Sequence, residues 1–440
     1  MRVRSAAVAL AITALPIAFA QEQARQDPPD FTSGYALPSP SAPGPRADLF
    51  SYIDVAVLVL VMAFGAYFLL YRRSRREIQI LSVFSLLYFG FYRLGCVCSV
   101  GSVQNIALAL GPHGYAVPFA TMAFFLLPLV FALFFGRVFC GTACPLGAMQ
   151  DILAFRVRRV NPSLDRGLGV LPFVWLAVGV FFAYEGAAFF ICEYDPFVGF
   201  FRMSMRSGVF WLSVAFLALS VFVGRPYCRF LCPYGALLRL VNPLAKWKVS
   251  ITPSECISCH MCADACPFGS IQPPTPQADS PNRQAARRRL GWALLSVPAL
   301  TAVFALAAFW AAPALSSVHI KVAQAYVVWR ETKRPSEIVP DMLRAWRNTG
   351  RPDGELYYEA LGIRNRFRRD APFLGGFIGL VLGLGFVSSA RIRKRSQYRP
   401  DDGCVSCGRC YSACPVEQAR VNPELAPRLE QLKKELRVLP

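Results

Sequence analysis

Seven apolar runs, each close to the length that crosses a bilayer, constrain this chain more than anything else in it. They read as Tyr52–Tyr71, Ile78–Gly95, Val117–Phe135, Leu168–Tyr184, Gly208–Val223, Leu290–Ala312 and Phe373–Ala390. A helix needs roughly 17–25 residues to span the hydrocarbon, whereas a barrel strand needs about 10. Inside lipid only helices and closed barrels satisfy every backbone N–H and C=O. The expected fold is therefore mainly α, a polytopic membrane helix bundle of about seven spans. Composition agrees, because only 17% of the 440 residues are charged, against about 25% in soluble domains. The second run is interrupted by Gln79, Ser82 and Ser85, which burial among other helices would explain.

Charge sets the orientation. Arg2 and Arg4, an apolar stretch from Ala6 to Ile17 and Ala18-Phe19-Ala20 before Gln21 read as a signal peptide over 1–20. Residues 21–49, rich in Pro, Ser and Gly, read as a periplasmic linker. Arginine and lysine then gather after spans one, three, five and seven and just before span six. By the positive-inside rule these loops share the cytoplasmic face, leaving the mature N-terminus periplasmic in a bacterial inner membrane. The formal charge of +20 thus reflects topology and contact with membrane lipid, and implies no nucleic-acid partner.

The cysteines carry the chemistry. Cys256-x2-Cys259-x2-Cys262-x3-Cys266-Pro267 and Cys404-x2-Cys407-x2-Cys410-x3-Cys414-Pro415 have identical spacing. In bacterial ferredoxins such a run gives three thiolates to one [4Fe–4S] cluster and its fourth to the other. Cys256, Cys259, Cys262 and Cys414 are expected to hold one cluster; Cys404, Cys407, Cys410 and Cys266 the other. Zinc sites have no use for the x3-C-P ending, and disulfides do not suit the cytoplasmic side. His260, between two ligands, reads as a spacer. The 137 residues between Cys266 and Cys404 contain two spans, so a transmembrane hairpin interrupts a single ferredoxin module. The expected organisation is a transmembrane repeat domain over 50–245 and ferredoxin half one over 246–289. A hairpin over 290–390 with a periplasmic insert at 316–372 follows, then ferredoxin half two and tail over 391–440.

The repeat is visible in the sequence itself. Gly136-Arg-Val-Phe-Cys140-Gly-Thr-Ala-Cys144-Pro aligns without a gap with Gly224-Arg-Pro-Tyr-Cys228-Arg-Phe-Leu-Cys232-Pro, 88 residues on. Parallel membrane repeats are related by an axis along the normal, with sites at their interface. Such an axis would gather Cys140, Cys144, Cys228 and Cys232 at the cytoplasmic end, either to bind a further cluster or metal or to pack as small buried residues. Cys96, Cys98 and Cys192 fall in outer loops, suited to a disulfide or to copper or iron ligation. Histidines are too few and too peripheral for haem, and no nucleotide-binding glycine pattern is present. Glu185, with Glu193 and Asp195 nearby, lies at the outer end of span four, either to accept protons or to face the headgroups as an interfacial residue.

Paired C-x3-C-P motifs after membrane helices, followed by ferredoxin runs, resemble the NosR/NirI and NapH-like group of membrane 4Fe-4S ferredoxin-type proteins. The segment from Gly224 through Cys228 and Cys232 to Cys256 carries the likeness most specifically. The resemblance implies a membrane-bound iron–sulfur electron-transfer protein, an oxidoreductase-type subunit. It would link the quinone pool or a flavoprotein partner to a periplasmic respiratory enzyme. The chain lacks the periplasmic flavin domain of the fullest members. Two competing readings are a copper reductase or maturation factor for a respiratory metalloenzyme, and a redox sensor.

Overall fold

The computed structural model describes residues 48–95, 98–158, 160–202, 207–251, 256–272, 274, 283–335, 340–390, 398 and 400–438. The expected signal peptide, the linker as far as residue 47, Cys96 and the basic residues 391–397 lie outside the described residues. Helix dominates. Among the described residues the extended backbone pairs only at an isolated antiparallel bridge, Ile271 to Pro400.

Two compact units divide the chain. The larger takes in residues 47–184, 189–301 and 377–440. Its helices begin with α1 (Asp48–Tyr67), which runs on as a π turn to Arg72, and α2 (Arg75–Ser85), which does the same to Tyr92. Next come α3 (Ser99–Leu110), α4 (Phe119–Phe135) and the two motif helices α5 (Val138–Thr142) and α6 (Pro145–Ile152). The second repeat follows with α7 (Leu171–Tyr184), α8 (Ser207–Phe222), α9 (Pro226–Phe230) and α10 (Pro233–Val241). The ferredoxin runs contribute only short helices, α11 (Met261–Asp264) in the first and, after two long helices, α14 (Arg409–Ala413) and α15 (Pro415–Val421) in the second. Those long helices are α12 (Arg283–Ser316) and α13 (Asp353–Ala390).

Among the described residues, four helices are long and apolar enough to cross a membrane: Leu49–Arg72, Leu164–Tyr184, Arg287–Ser316 and Asp353–Ser389. These contain the expected first, fourth, sixth and seventh spans. The third and fifth appear as shorter apolar helices, Phe119–Phe135 and Gly208–Phe222. The second expected span is the departure. Its α-helix gives way to π geometry after Ser85 and breaks at Arg93–Gly95, where Leu94 and Gly95 are left-handed (φ 51° and 63°). A separate apolar helix, α3, starts after Cys98. At the break Arg93 reaches back 2.7 Å to Asp54, which is 1% exposed and also accepts from the Tyr88 hydroxyl at 2.9 Å. Irregular backbone at membrane depth persists only where protein covers it, and Ser82, Ser85, Phe89 and Gly90 around the break are buried.

Within the larger unit α12 and α13 approach at backbone distance. A Cβ on Gly379 would meet the Leu300 carbonyl, and one on Gly383 would lie 2.7 Å from Val297 Cα. Small residues every fourth position let membrane helices pack this closely.

The smaller unit, described by residues 185–188 and 302–376, contains the helices Ile320–Lys333 and Asp341–Arg347 beside parts of α12 and α13. Val328, Leu343, Trp346, Leu356 and Phe367 form its buried centre. The Trp346 indole donates to Asp353 at 2.9 Å, and His319 caps the first of these helices through the Lys321 amide.

Candidate functional site

The two ferredoxin runs fold alike. Ser258 and His260 in the first, and Ser406 and Gly408 in the second, all have positive φ (58°, 61°, 55° and 72°). Left-handed residues between helical ones turn successive amides inward, forming the concave nests that bind anions, iron–sulfur groups among them. The central cysteine of each run lies between two such residues.

Cys256, Cys259 and Cys262 share one cavity with Cys414, walled also by Ile251, His260 and Tyr398. Cys404 and Cys410 are neighbours of Cys407 and of Cys266. Each run's fourth thiol therefore sits with the other run. Across the module, the Asp401 amide donates to the Ser270 carbonyl at 2.9 Å, beside the Ile271–Pro400 bridge. The His260 ring lies 2.7 Å from the Tyr398 hydroxyl, so His260 is more than a spacer: it ties the first run to the segment entering the second.

Among the described residues, no three Cys, His or carboxylate groups converge closely enough to hold a single metal ion. A cubane takes one thiolate on each of four irons, which spreads the sulfurs around a cage. Burial pushes the Cys404 thiol up to about 12 and that of Cys262 up to about 11. Such thiols ionise only against a strong positive partner, and metal binding would release their protons.

The repeat builds the same turn again. Cys140 lies in α5 and Cys228 in α9; Cys144 and Cys232 are the N-caps of α6 and α10, each with proline at the first helical position. Cys414 caps α15 in the same way. The three capping cysteines have nearly one conformation, with φ/ψ of −82°/113°, −61°/113° and −83°/115°. Proline is pre-organised for that place, and a helix N-terminus favours the thiolate. Cys232 Sγ accepts from the Gly235 amide at 3.3 Å, and Cys228 Sγ from Gln150 Nε2 at 3.3 Å. Cys144 and Cys232 both have Cys228 and Cys140 as charge neighbours, so the repeat does gather its four thiols.

Arginines cross between the repeats. Arg225 donates to the Cys140 carbonyl of the first copy, and Arg137 lies 3.5 Å from where a Cβ of Gly235, in the second copy, would stand. Arg225 also faces Asp151 at 3.6 Å, where Arg75 and Arg409 (3.0 Å) converge on the same carboxylate. Burial alone would push the Asp151 carboxyl up. Arg225, Arg75 and Arg409 overcome it and hold the group well below the usual carboxylate range. Arg75 donates in turn to the Cys407 carbonyl. Glycines allow the approach: a Cβ on Gly141 would lie 2.5 Å from the Ser406 carbonyl, and one on Gly224 would lie 2.7 Å from Pro267.

A second cavity lies beside the repeat motif. Leu58, Phe89, Val100, Phe124, Phe139 and Phe201 give it an apolar wall that also holds Cys98, Ser99 and Cys144. Cys98 was expected in an outer loop, apart from the repeat cysteines; the break in the second span lowers it to share a cavity with Cys144. Cys98 and Cys192 are free thiols, so the expected outer disulfide does not form between them. Ser99 Oγ is buried without a hydrogen-bond partner. Asp195 accepts from the Tyr227 hydroxyl at 2.5 Å and from the amides of Phe197 and Val198, a structural role. Glu185 belongs to the smaller unit, buried and 3.6 Å from Arg366. Burial, then Asp370 beside it, raises Glu185 from 4.5 to about 7, against the opposing pull of Arg366.

Sequence reading singled out the cysteines, the repeat and Glu185. It missed the pairs made by Asp54 and Asp151, and it missed Ser99. The only signal for Asp151 was an acid next to an arginine-rich face.

A family model described as a 4Fe-4S binding domain matches residues 117–163 and again 207–252, the two copies of the repeat. Another of the same description matches 249–272, the first ferredoxin run. An uncharacterised protein of Methanocaldococcus jannaschii is 29% identical over 209 residues, covering 44% of this chain and 83% of its own length. Regulatory protein NosR of Pseudomonas aeruginosa is 29% identical over 212 residues, 43% of this chain and 29% of NosR. Putative electron transport protein YccM of Escherichia coli is 28% identical over 165 residues, 34% of this chain and 46% of YccM. The match therefore spans less than half the length of NosR and of YccM. No solved structure matches the chain.

Proposed function

We propose, for a chain that is a relative of the NosR/NirI-type group of 4Fe-4S ferredoxin-type membrane proteins, that it carries electrons between the quinone pool or a flavoprotein partner and a periplasmic respiratory redox enzyme. Cys256, Cys259, Cys262 and Cys414 would hold one [4Fe–4S] cluster. Cys404, Cys407, Cys410 and Cys266 would hold the second, both on the cytoplasmic side of a multi-pass inner-membrane protein. When bound, such clusters take up and release single electrons with little movement of the chain. The observation that carries this reading is the single cavity shared by three cysteines of the first run and Cys414 of the second.

The chain's own part is to hold, orient and exclude water. Left-handed residues at 258, 260, 406 and 408 shape the turns around Cys259 and Cys407, and Cys262, Cys266, Cys407 and Cys410 are buried. The four repeat thiols, with the crossed arginines, offer a third site for a cluster or metal. The apolar cavity of Phe89, Phe124, Phe139 and Phe201, with the unpartnered Ser99 hydroxyl, suits the ring of a quinone beside that site. Full chain purified in detergent and reduced by a quinol in the spectrometer tests this reading. Bleaching of iron–sulfur absorbance is expected; iron–sulfur protein that dithionite reduces but no quinol or flavoprotein does would remove the proposed donors.

One observation favours a second reading, copper reduction or enzyme maturation: Cys98 and Cys144 face the same apolar cavity, and soft thiolates select Cu(I). Stoichiometric copper in purified protein, lost in Cys98→Ser, would favour it over the first.

A further inference from the structure

We infer that Asp151, with Arg75, Arg225 and Arg409, is a charge hub that sets the electron affinity of the repeat-borne thiol site and of the Cys404–Cys407–Cys410–Cys266 centre together. The inference rests on the reading that these cysteines hold metal clusters.

The geometry is specific. One carboxylate, 9% exposed, receives three guanidiniums. Arg225 is 1% exposed, and its Nε and Nη2 have no hydrogen-bond partner. The neighbouring acids are engaged elsewhere, Glu417 by Arg73 and Asp165 by Arg229. Three cations around one anion leave an excess of two positive charges, in a place where an uncompensated charge is strongly unfavourable.

Neutral thiols do not balance that excess; thiolate-ligated clusters, being anionic, do. The arginines also point in the required directions. Arg225 donates to the Cys140 carbonyl in the repeat, and Arg75 to the Cys407 carbonyl in the ferredoxin run. Arg409, one residue before Cys410, closes the group through Asp151 and the Ala154 carbonyl. The hub is therefore in contact with the backbone of both sites. No hub residue lines the cavity of Cys256, Cys259, Cys262 and Cys414.

Net charge and hydrogen bonding near a cluster set its potential, and buried charges are weakly screened. Removing the one anion makes reduction easier at both sites, and removing a cation makes it harder. The two changes have opposite signs, which a general loosening of the fold would not give.

An EPR-monitored redox titration of the full chain in detergent micelles tests this. Asp151→Asn is expected to shift the midpoint of the Cys404-type centre, and of the repeat centre, upward. Arg225→Gln is expected to shift both downward, and Arg225→Lys, which keeps the charge, to stay near the wild type. The Cys256-type centre should move least. Equal midpoints in all variants, or shifts of one sign for Asp151→Asn and Arg225→Gln, would overturn the hub. If Asp151→Asn does not fold, the contrast between Arg225→Gln and Arg225→Lys decides. A wild-type chain without iron–sulfur signals would remove the functional reading and the hub with it; signals that are present but unmoved would remove the hub alone.

Discussion

The ferredoxin runs and the membrane repeat use the same turn to different ends. In the second ferredoxin run and in both repeat copies, a cysteine sits in a short helix and another, four residues later, caps a helix that opens with proline. A ferredoxin run adds two more cysteines upstream, so local sequence alone delivers three donors, and the partner run supplies one. Each repeat copy delivers only two, so its site exists only when the fold brings both copies together. The surroundings differ as well. Both runs carry left-handed residues around their second cysteine, whereas the repeat meets its thiols with the side chains of Gln150, Arg137 and Arg225 as well as the Gly235 amide. A set of thiols can thus be supplied mostly by twelve contiguous residues or shared evenly between two repeat copies, and the second kind depends on packing far more.

The largest expected effect breaks the parallel outright. Replacing Cys140, Cys144, Cys228 and Cys232 by serine should remove all metal beyond the roughly eight iron atoms of two [4Fe–4S] clusters, leaving both ferredoxin EPR signals. Equal metal content before and after, by elemental analysis, would reduce the repeat cysteines to packing.

Gly141→Ala probes the seam between the two regions. Its new Cβ would stand 2.5 Å from the Ser406 carbonyl, and overpacking of this kind costs about 1–3 kcal/mol. Thermal unfolding should fall by several degrees, while Gly167→Ala, with open space around it, should not. A matching drop in both would show that the close approach is unimportant.

Glu185→Gln separates cysteine chemistry from the smaller unit. Glu185 is raised from 4.5 to about 7, so the folded chain favours the protonated acid and is penalised as pH rises through 7. Glutamine mimics the neutral form. The variant should match the wild type below about pH 4.5 and be more stable above pH 7, by at most roughly 3 kcal/mol. A stability gain that is the same at pH 4 and pH 8 would exclude a titrating Glu185.

Tyr398→Phe should have the smallest effect. It removes one hydrogen bond to His260, worth about 1 kcal/mol. A slight fall in melting temperature with unchanged cluster content is expected; loss of a cluster would make the pair part of the binding site.

The cysteine spacing made the ferredoxin module legible because the signal is contiguous, and the gapless alignment of 136–145 with 224–233 exposed the repeat. The broken second span was not legible. Hydropathy averages over a window and does not register that Arg93 folds back onto Asp54; there the helix stops, and Cys98 moves beside Cys144. The Asp151 hub draws on four segments spread from residue 75 to 409, and no local pattern announces such a contact. The close hairpin was within reach, since Gly375, Gly379 and Gly383 recur every fourth residue in an apolar run.

The exchange of fourth ligands between runs is tested most directly by Cys266→Ser in the full chain, followed by EPR and compared with Cys256→Ser and Cys404→Ser. The account predicts that Cys266→Ser perturbs the same cluster signal as Cys404→Ser and leaves the one altered by Cys256→Ser intact. A Cys266→Ser spectrum matching that of Cys256→Ser would contradict it.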